Sequence, residues 1–246
     1  MKRYSFVEKI CFPHFQNVIY FAVKHLFLHK IKKMTAQQVQ PILKDIKTPK
    51  GEAVSNHRLT LAEYVEREET STVKHEFHNG KIVEMAGGTP PHAQISGNFL
   101  TFLNFCLYRK TERFIAYTSD AEIYIPELDK SLYADVSAVA ESPILFAHYK
   151  TLITNPLLIV EVLSEGTQDY DRHRKFEFYQ KIPSFKEYVL VHQDEPKVEI
   201  YYCKNGKRNV WNYTFATGLT ENIKLQSIGC TLRLKDIYRN IEFAEI

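Results

Sequence analysis

The sequence predicts a mixed α/β (α+β) fold, a central mixed β-sheet flanked by helices. Three observations lead there. The run "LLIVEVLS" (157–164) reads as a buried strand. Two short runs around Asn79-Gly80 carry the strongest short-range hairpin signal. Between His92 and about Lys110, apolar Ile95, Phe99, Phe102, Leu103 and Cys106 recur at helical spacing. Helical and strand patterns interleave, which favours sheet and helices in one layered domain.

The elements follow in order. Residues 35–57 are polar, with two prolines and one glycine, and read as a linker. Thr60 with Glu63 three residues on makes a capping box, so a short helix starts there. The Asn79-Gly80 hairpin ends at Gly87, Gly88, Pro90 and Pro91, and the long helix begins at His92. "RFIAYTS", "AEIYIPE" and "LYADVSAVA" are three strand-like runs ahead of "LLIVEVLS". A charged helix over about 169–181 closes before Pro183. "KEYVLVHQ", "KVEIYYCK" and "RNVWNYTF" are further strands, with Asn205-Gly206 turning one hairpin. The chain divides into an extension and linker (1–58) and a domain (59–246).

The bulk composition narrows the function classes. With 246 residues, 44% hydrophobic and 13% aromatic, the chain can bury a sizeable core. The net charge of +3 is uneven: residues 1–34 hold seven Lys/Arg and one Glu, so the rest of the chain sums to −3. That body is not a polycation, which argues against strong non-specific nucleic-acid binding. Cys11, Cys106, Cys203 and Cys230 form no C-x-x-C pair, so neither a structural zinc nor a disulfide framework is expected. A reducing, cytoplasmic setting fits. The segment "ICFPHFQNVIYFAVKHLFLHKIKK" is interrupted by His14, Lys24 and His25, too broken for a membrane span and without a cleavage site. It reads as an appendage outside the fold, with a basic amphipathic helix as the alternative, and Met34 as a candidate start.

Candidate chemistry centres on Glu161, a carboxylate set between Val160 and Val162. It shares a strand face with Ile159 and Leu163, and a buried charge needs compensation. Asp135 in "YADVSAV" is a second acid in an apolar setting. Two carboxylates on neighbouring strands repel unless one is protonated or a hard cation such as Mg²⁺ joins them. The alternative is an ion pair from Glu161 to a Lys or Arg of the following helix. In "DYDRHRKFEFYQK", Asp171, Lys175 and Tyr179 line one side. Lys175 could stabilise charge on a phosphoryl group, or form an ordinary surface pair with Asp171. "KHEFHNG" adds Glu76, on one strand face with His78, while His75 and Phe77 take the other. It is not H-E-x-x-H, and zinc there is disfavoured. His92 reads as a polar residue at a helix start rather than a catalyst. G-x-x-x-x-G-K-[ST], G-x-G-x-x-G after a strand and G-x-S-x-G are all missing, so nucleotide-fold and serine-hydrolase readings lack support.

Five blocks, taken in order, resemble a known family: "LTLAEYVEREE", "HEFHNGKIVEMAGGTPPHAQISGN", "YADVSAV", "LLIVEVLSEGT" and "DRHRKFEFYQKIPSFKEYVLV". The chain resembles the Uma-type endonucleases of bacteria, a branch of the PD-(D/E)xK restriction-endonuclease-like superfamily, over about residues 59–240. The resemblance implies a restriction-endonuclease-like core and Mg²⁺-dependent (or Mn²⁺-dependent) hydrolysis of DNA. It puts the "PD" acid on Asp135, the D/E-x-K acid on Glu161 and the early-hairpin acid on Glu76. Asp135, Glu161 and the Val162 carbonyl would hold the metal. Leu163 stands where the signature lysine would be, which points to Lys175 as its replacement, with Tyr179 one turn on. Ala134 replaces the proline before the first acid, and Glu165-Gly166 replace smaller or proline residues after "VLS". The expected pocket brings Asp135, Glu161 and Glu76 together, with Lys175 at the rim.

The rival readings are a non-catalytic binding or assembly module, with "EYVLV" and "VEIYYCK" as an interface, and, far behind, a glycosidase. DNA is the expected partner, no membrane span is expected, and a homodimer is left open. If residues 1–33 are an appendage, a chain starting at Met34 melts at nearly the temperature of the full chain. A large drop in a thermal denaturation scan would place the apolar segment in the core.

Overall fold

The structure is a computed structural model and describes residues 58–85, 87–204 and 210–243. The expectations for the segment before residue 58 and for the Asn205-Gly206 turn lie outside the described residues. Thr60 opens helix α1 (Leu61–Thr70) with the reciprocal cap: its hydroxyl accepts from the Glu63 N–H at 3.2 Å, and Glu63 accepts from the Thr60 N–H at 2.7 Å. Strands β1 (His75–His78) and β2 (Lys81–Glu84) form the expected hairpin. Its turn residues Asn79 and Gly80 sit at φ 48° and 87°, the left-handed pair that a two-residue turn requires.

Helix α2 (Pro90–Leu107) starts two residues earlier than the sequence suggests. Thr89 caps it, and both prolines fall in the first turn, where a missing N–H leaves no helical bond unmade. Strands β3 (Phe114–Thr118) and β4 (Glu122–Ile125) follow as expected. The next run does not hold together. "LYADVSAVA" splits into β5 (Lys130–Tyr133) and β6 (Val136–Ala140), with Ala134-Asp135 between them. Strand β5 pairs with β1 and β4, whereas β6 pairs with β3, so the chain changes sheets at Asp135.

One sheet is therefore five-stranded, in the order β2-β1-β5-β4-β7, with β7 at Leu152–Ile153. The other is the mixed sheet. Its middle strand β8 (Pro156–Leu163) runs antiparallel to β6 and parallel to β9 (Glu187–His192). Strands β10 (Lys197–Tyr202) and β11 (Asn212–Thr217) complete the order β11-β10-β9-β8-β6-β3. Between β8 and β9 the charged segment forms a π-helical turn (Tyr170–Lys175) that runs into α3 (Phe176–Tyr179). The hairpin of β12 (Asn222–Leu225) and β13 (Cys230–Arg233), with the short helix α4 (Leu234–Ile237), was not anticipated.

Every residue of β8 is buried. Leu158, Val160 and Val162 pack with Ile95, Phe99 and Leu103 of α2. Ile159 and Leu163 face the other way, into a cluster with Ile123, Leu132, Tyr179 and Tyr188. Glu161 is on that second face, as strand alternation requires. A third cluster seats α1 on the first sheet through Tyr64, Val65, Phe77 and Ile82. Among the described residues, no helix is long and apolar enough to cross a membrane.

The cysteine expectation is corrected in one respect: Cys106 of α2 and Cys230 of β13 form a disulfide, with Cα atoms 5.9 Å apart. Spacing could not show this, because 124 residues separate a pair that helix-on-hairpin packing brings together. Thiol titration of the denatured chain should find at least two further reactive cysteines after reduction. Reduction should lower stability by about 2–4 kcal/mol, since the bond restricts the unfolded chain.

Candidate active site

The sheet change at Asp135 sets up the site. Strand β6 pairs with β8 through Val136↔Val160, and one further step in that register puts Asp135 opposite Glu161. Opposite positions share a face in an antiparallel pair. Asp135 has left the ladder, however, and its carboxylate takes up backbone donors instead. Its Oδ2 accepts the Val162 N–H at 2.6 Å and lies 3.1 Å from His92 Nε2 at the start of α2.

Glu161 points toward the π-helical turn. Its Oε1 accepts from Lys175 Nζ and from the Tyr179 hydroxyl, both at 3.1 Å. Lys175 Nζ also donates to the Tyr133 carbonyl at 3.1 Å, and it lies 3.4 Å from Asp171 Oδ1 and 3.8 Å from Glu76 Oε1. Glu76 Oε2 accepts the Tyr170 hydroxyl at 2.8 Å and meets His78 Nε2 at 3.1 Å. The turn's geometry explains how two reaches are made at once. Tyr170 and Lys175 are one π turn apart, so both approach Glu76 from a single segment.

These groups are dry: Glu76, Glu161, Asp171 and Lys175 are 5%, 2%, 4% and 6% exposed. Burial pushes the Glu161 carboxyl up. Lys175 opposes that, but the charges of Asp171 and Asp135 add to the rise, and the net shift is well upward. Burial likewise raises Asp171, against the pull of Lys175. Burial would raise Glu76 too, but the His78 hydrogen bond and the Lys175 charge outweigh it and leave Glu76 below its usual value. Burial disfavours the Lys175 ammonium, yet Glu161, Asp171 and Glu76 together raise it far above an ordinary lysine. At His92 the Asp135 hydrogen bond and charge overcome burial and raise the imidazole. The cluster thus gathers Glu76, Glu161 and Asp171 around the Lys175 ammonium, while Lys130 reaches Glu76 from the far side through His78.

Each expected residue has a definite place here. Glu161 and Asp171 meet Lys175 directly, and Glu76 reaches the others only through it. Lys175 is not at a rim but at the centre, because an ammonium facing three buried acids gains more there than in water. For the same reason the Asp171–Lys175 pair is no surface contact. The pairing alternative for Glu161 is what the contacts contain. Val162 enters the site with its N–H, on Asp135. His75 is hydrogen-bonded through Nδ1 to Glu68 at 3.0 Å, away from His78, so the two histidines share no ligand sphere. Tyr170 and His92 were missed as site members. The only sequence signal for Tyr170 was its spacing of five from Lys175, which has no meaning in an α-helix.

Among the described residues, no three or more His, Cys, Asp or Glu side chains are grouped as a protein-only metal cage. The donor set does suit a hard cation. Contacts to Asp135 fall on Oδ2 and those to Glu161 on Oε1, which leaves Oδ1 and Oε2. Mg²⁺ characteristically takes one or two carboxylates and completes its shell with water and phosphate.

The mixed α/β architecture, with mixed sheets and flanking helices, is that of a restriction-endonuclease-like fold. More particularly, the chain belongs to the Uma2 family, described as "Putative restriction endonuclease", whose model matches residues 61–233. Two Synechocystis sp. (strain ATCC 27184 / PCC 6803 / Kazusa) proteins are similar to it. The uncharacterised protein sll1609 is 36% identical, over 68% of this chain and 92% of its own. The uncharacterised protein slr1290 is 31% identical, over 76% and 94%. The fold is similar to a crystal structure titled a "putative nuclease belonging to DUF820" from Anabaena variabilis ATCC 29413, with TM-score 0.58 and 17% identity, covering 73% of this chain and 97% of that one.

Lys175 should be the costliest residue of the cluster to neutralise. Lys175→Met is expected to lose about 3–5 kcal/mol near neutral pH, because it strands buried carboxylates. Without the ammonium, burial holds these acids above their unfolded values. A raised folded-state pKa stabilises below the unfolded pKa, and that contribution is lost as pH rises through the folded one. The variant's deficit should therefore shrink as the pH falls through the acids' raised folded-state values toward their unfolded ones. Glu161→Gln leaves Lys175 with Asp171 and Glu76, so it should shift stability by less than about 1 kcal/mol. Urea denaturation of both variants across pH checks the pattern.

Proposed function

We propose that this protein is a metal-dependent endonuclease that hydrolyses phosphodiester bonds of DNA. One observation carries the reading: Asp135 stands opposite Glu161 where the chain changes sheets, and the contacts to each fall on a single carboxylate oxygen. In this reading Asp135, Glu161 and the Val162 carbonyl would hold Mg²⁺ or Mn²⁺. A bound divalent ion supplies an acidified water and neutralises charge on the phosphoryl group.

The chain's own residues prepare that chemistry. The Val162 N–H and His92 fix one oxygen of Asp135. Lys175 and Tyr179 fix one oxygen of Glu161. The three protons of the Lys175 ammonium are matched by Glu161, Tyr133 and Asp171, so it steadies developing negative charge through its field and through the orientation of Glu161. Glu76 sets the far side of Lys175. The partners in this reading are duplex DNA and, for simultaneous cleavage of both strands, a second copy of the chain. The cytoplasm is the proposed location, where the Cys106–Cys230 bond would be reduced.

One observation favours a second reading, a non-catalytic binding or assembly module: Glu161 is already paired, with Lys175 at 3.1 Å. A cleavage assay on duplex and single-stranded DNA with and without Mg²⁺ separates the two. The parent should cut only with metal. Asp135→Ala should lose more than the about 100-fold that an outer-shell loss costs. Mg²⁺ at 100 times its Kd should raise the parent's unfolding free energy by about 2.7 kcal/mol. A parent that neither cuts nor is stabilised by Mg²⁺ is the module instead.

A further inference from the structure

We propose that His92 is a positioning residue for Asp135, held in place by Gly88, and that this pair sets the affinity of the site for its divalent cation. The inference rests on the metal-site reading above and extends it to residues outside the four acids and the lysine.

The geometry is specific. His92 Nε2 lies 3.1 Å from Asp135 Oδ2, and the same oxygen accepts the Val162 N–H at 2.6 Å. Two donors on one oxygen pin the carboxylate's rotation and leave Oδ1 as the oxygen for a ligand. A partner of the same bulk without a donor would leave the Val162 N–H alone on that oxygen, and the carboxylate could turn more freely about its last bond.

Gly88 serves the ring. A Cβ at that position would come 2.9 Å from His92 Nδ1, closer than real side chains sit, and 3.3 Å from its Cγ. The bare backbone of Gly88 therefore forms the seat against which the imidazole rests. Its neighbours are also tied down. Thr89 Oγ1 accepts the His92 N–H at 3.3 Å and donates to Gln193 Oε1 at 3.1 Å, linking the start of α2 to the segment just after β9. Farther along α2, Asn98 Nδ2 donates to the Ile237 and Arg239 carbonyls at 3.0 and 2.8 Å. A ring mounted on so constrained an element can orient a ligand-bearing carboxylate, as outer-shell donors do at metal sites.

The test measures Mn²⁺ binding to the full-length protein by calorimetry, with no DNA present, alongside urea denaturation. His92→Phe keeps the ring's bulk and removes the donor, and should weaken Mn²⁺ binding about 10- to 100-fold with little change in the unfolding midpoint. His92→Gln, whose amide can still donate, should recover most of that loss, which a merely space-filling role would not allow. Gly88→Ala should weaken binding in the same direction, and the Gly88→Ala/His92→Phe double variant should be no worse than His92→Phe alone, since both act through one ring. His92→Phe binding Mn²⁺ like the parent overturns this inference and leaves the metal site standing. So does a His92→Gln as weak as His92→Phe. A parent that takes up no Mn²⁺ overturns the metal-site reading and this inference with it.

Discussion

The site depends on one ammonium. Among the described residues, Lys175 is the ammonium that meets Glu76, Glu161 and Asp171 together, all of them buried. An unpaired carboxylate in such a place costs several kcal/mol, and three of them on different elements would drive those elements apart. The β1 hairpin, the β8 strand and the π-helical turn are therefore joined at a point where each has a charge that the others need.

Lys175 can serve so many partners because the segment that carries it is held from several sides. Arg172 forks onto Glu199, with contacts of 2.9 and 2.7 Å, and His192 meets the same carboxylate at 2.7 Å. Burial would raise Glu199, but those donors outweigh it and hold the carboxyl far below its usual range. The Tyr188 hydroxyl donates to the Asp171 carbonyl at 2.8 Å. One face of the turn is thus tied to β9 and β10 while the other reaches the acids. A π turn suits the double duty, since its wider spacing puts residues five apart on one side.

Asp135 owes its role to the break between β5 and β6. A residue inside a ladder has its backbone committed and its side chain directed by the pleat. At the crossing from one sheet to the other, Asp135 escapes both constraints, and its carboxylate accepts a strand N–H that it could not otherwise reach. The substitution of Ala134 for proline fits this view. Ala134 is buried, and the neighbouring ladders already dictate the backbone there without help from a fixed φ.

Local chemistry was enough for much of this to be read directly. The cap at Thr60, the turn at Asn79-Gly80, the face that Glu161 shares with Ile159 and Leu163, and the side of the helical segment that carries Asp171, Lys175 and Tyr179 all follow from short-range rules of capping, turn dihedrals and periodicity. What those rules could not supply were contacts between distant segments. The split of "LYADVSAVA", the Tyr170–Glu76 bond across 94 residues, the His92–Asp135 pair, the disulfide and the β12–β13 hairpin all arise from how two sheets and α2 stack. Strand partners and burial are properties of the whole packed core, and a pleated run of apolar residues looks the same whether it joins one sheet or two. The sequence by itself singled out Glu76, Asp135, Glu161 and Lys175. Only the tertiary structure decided that the lysine would be at their centre, because only packing removes the water that would otherwise have screened them from one another.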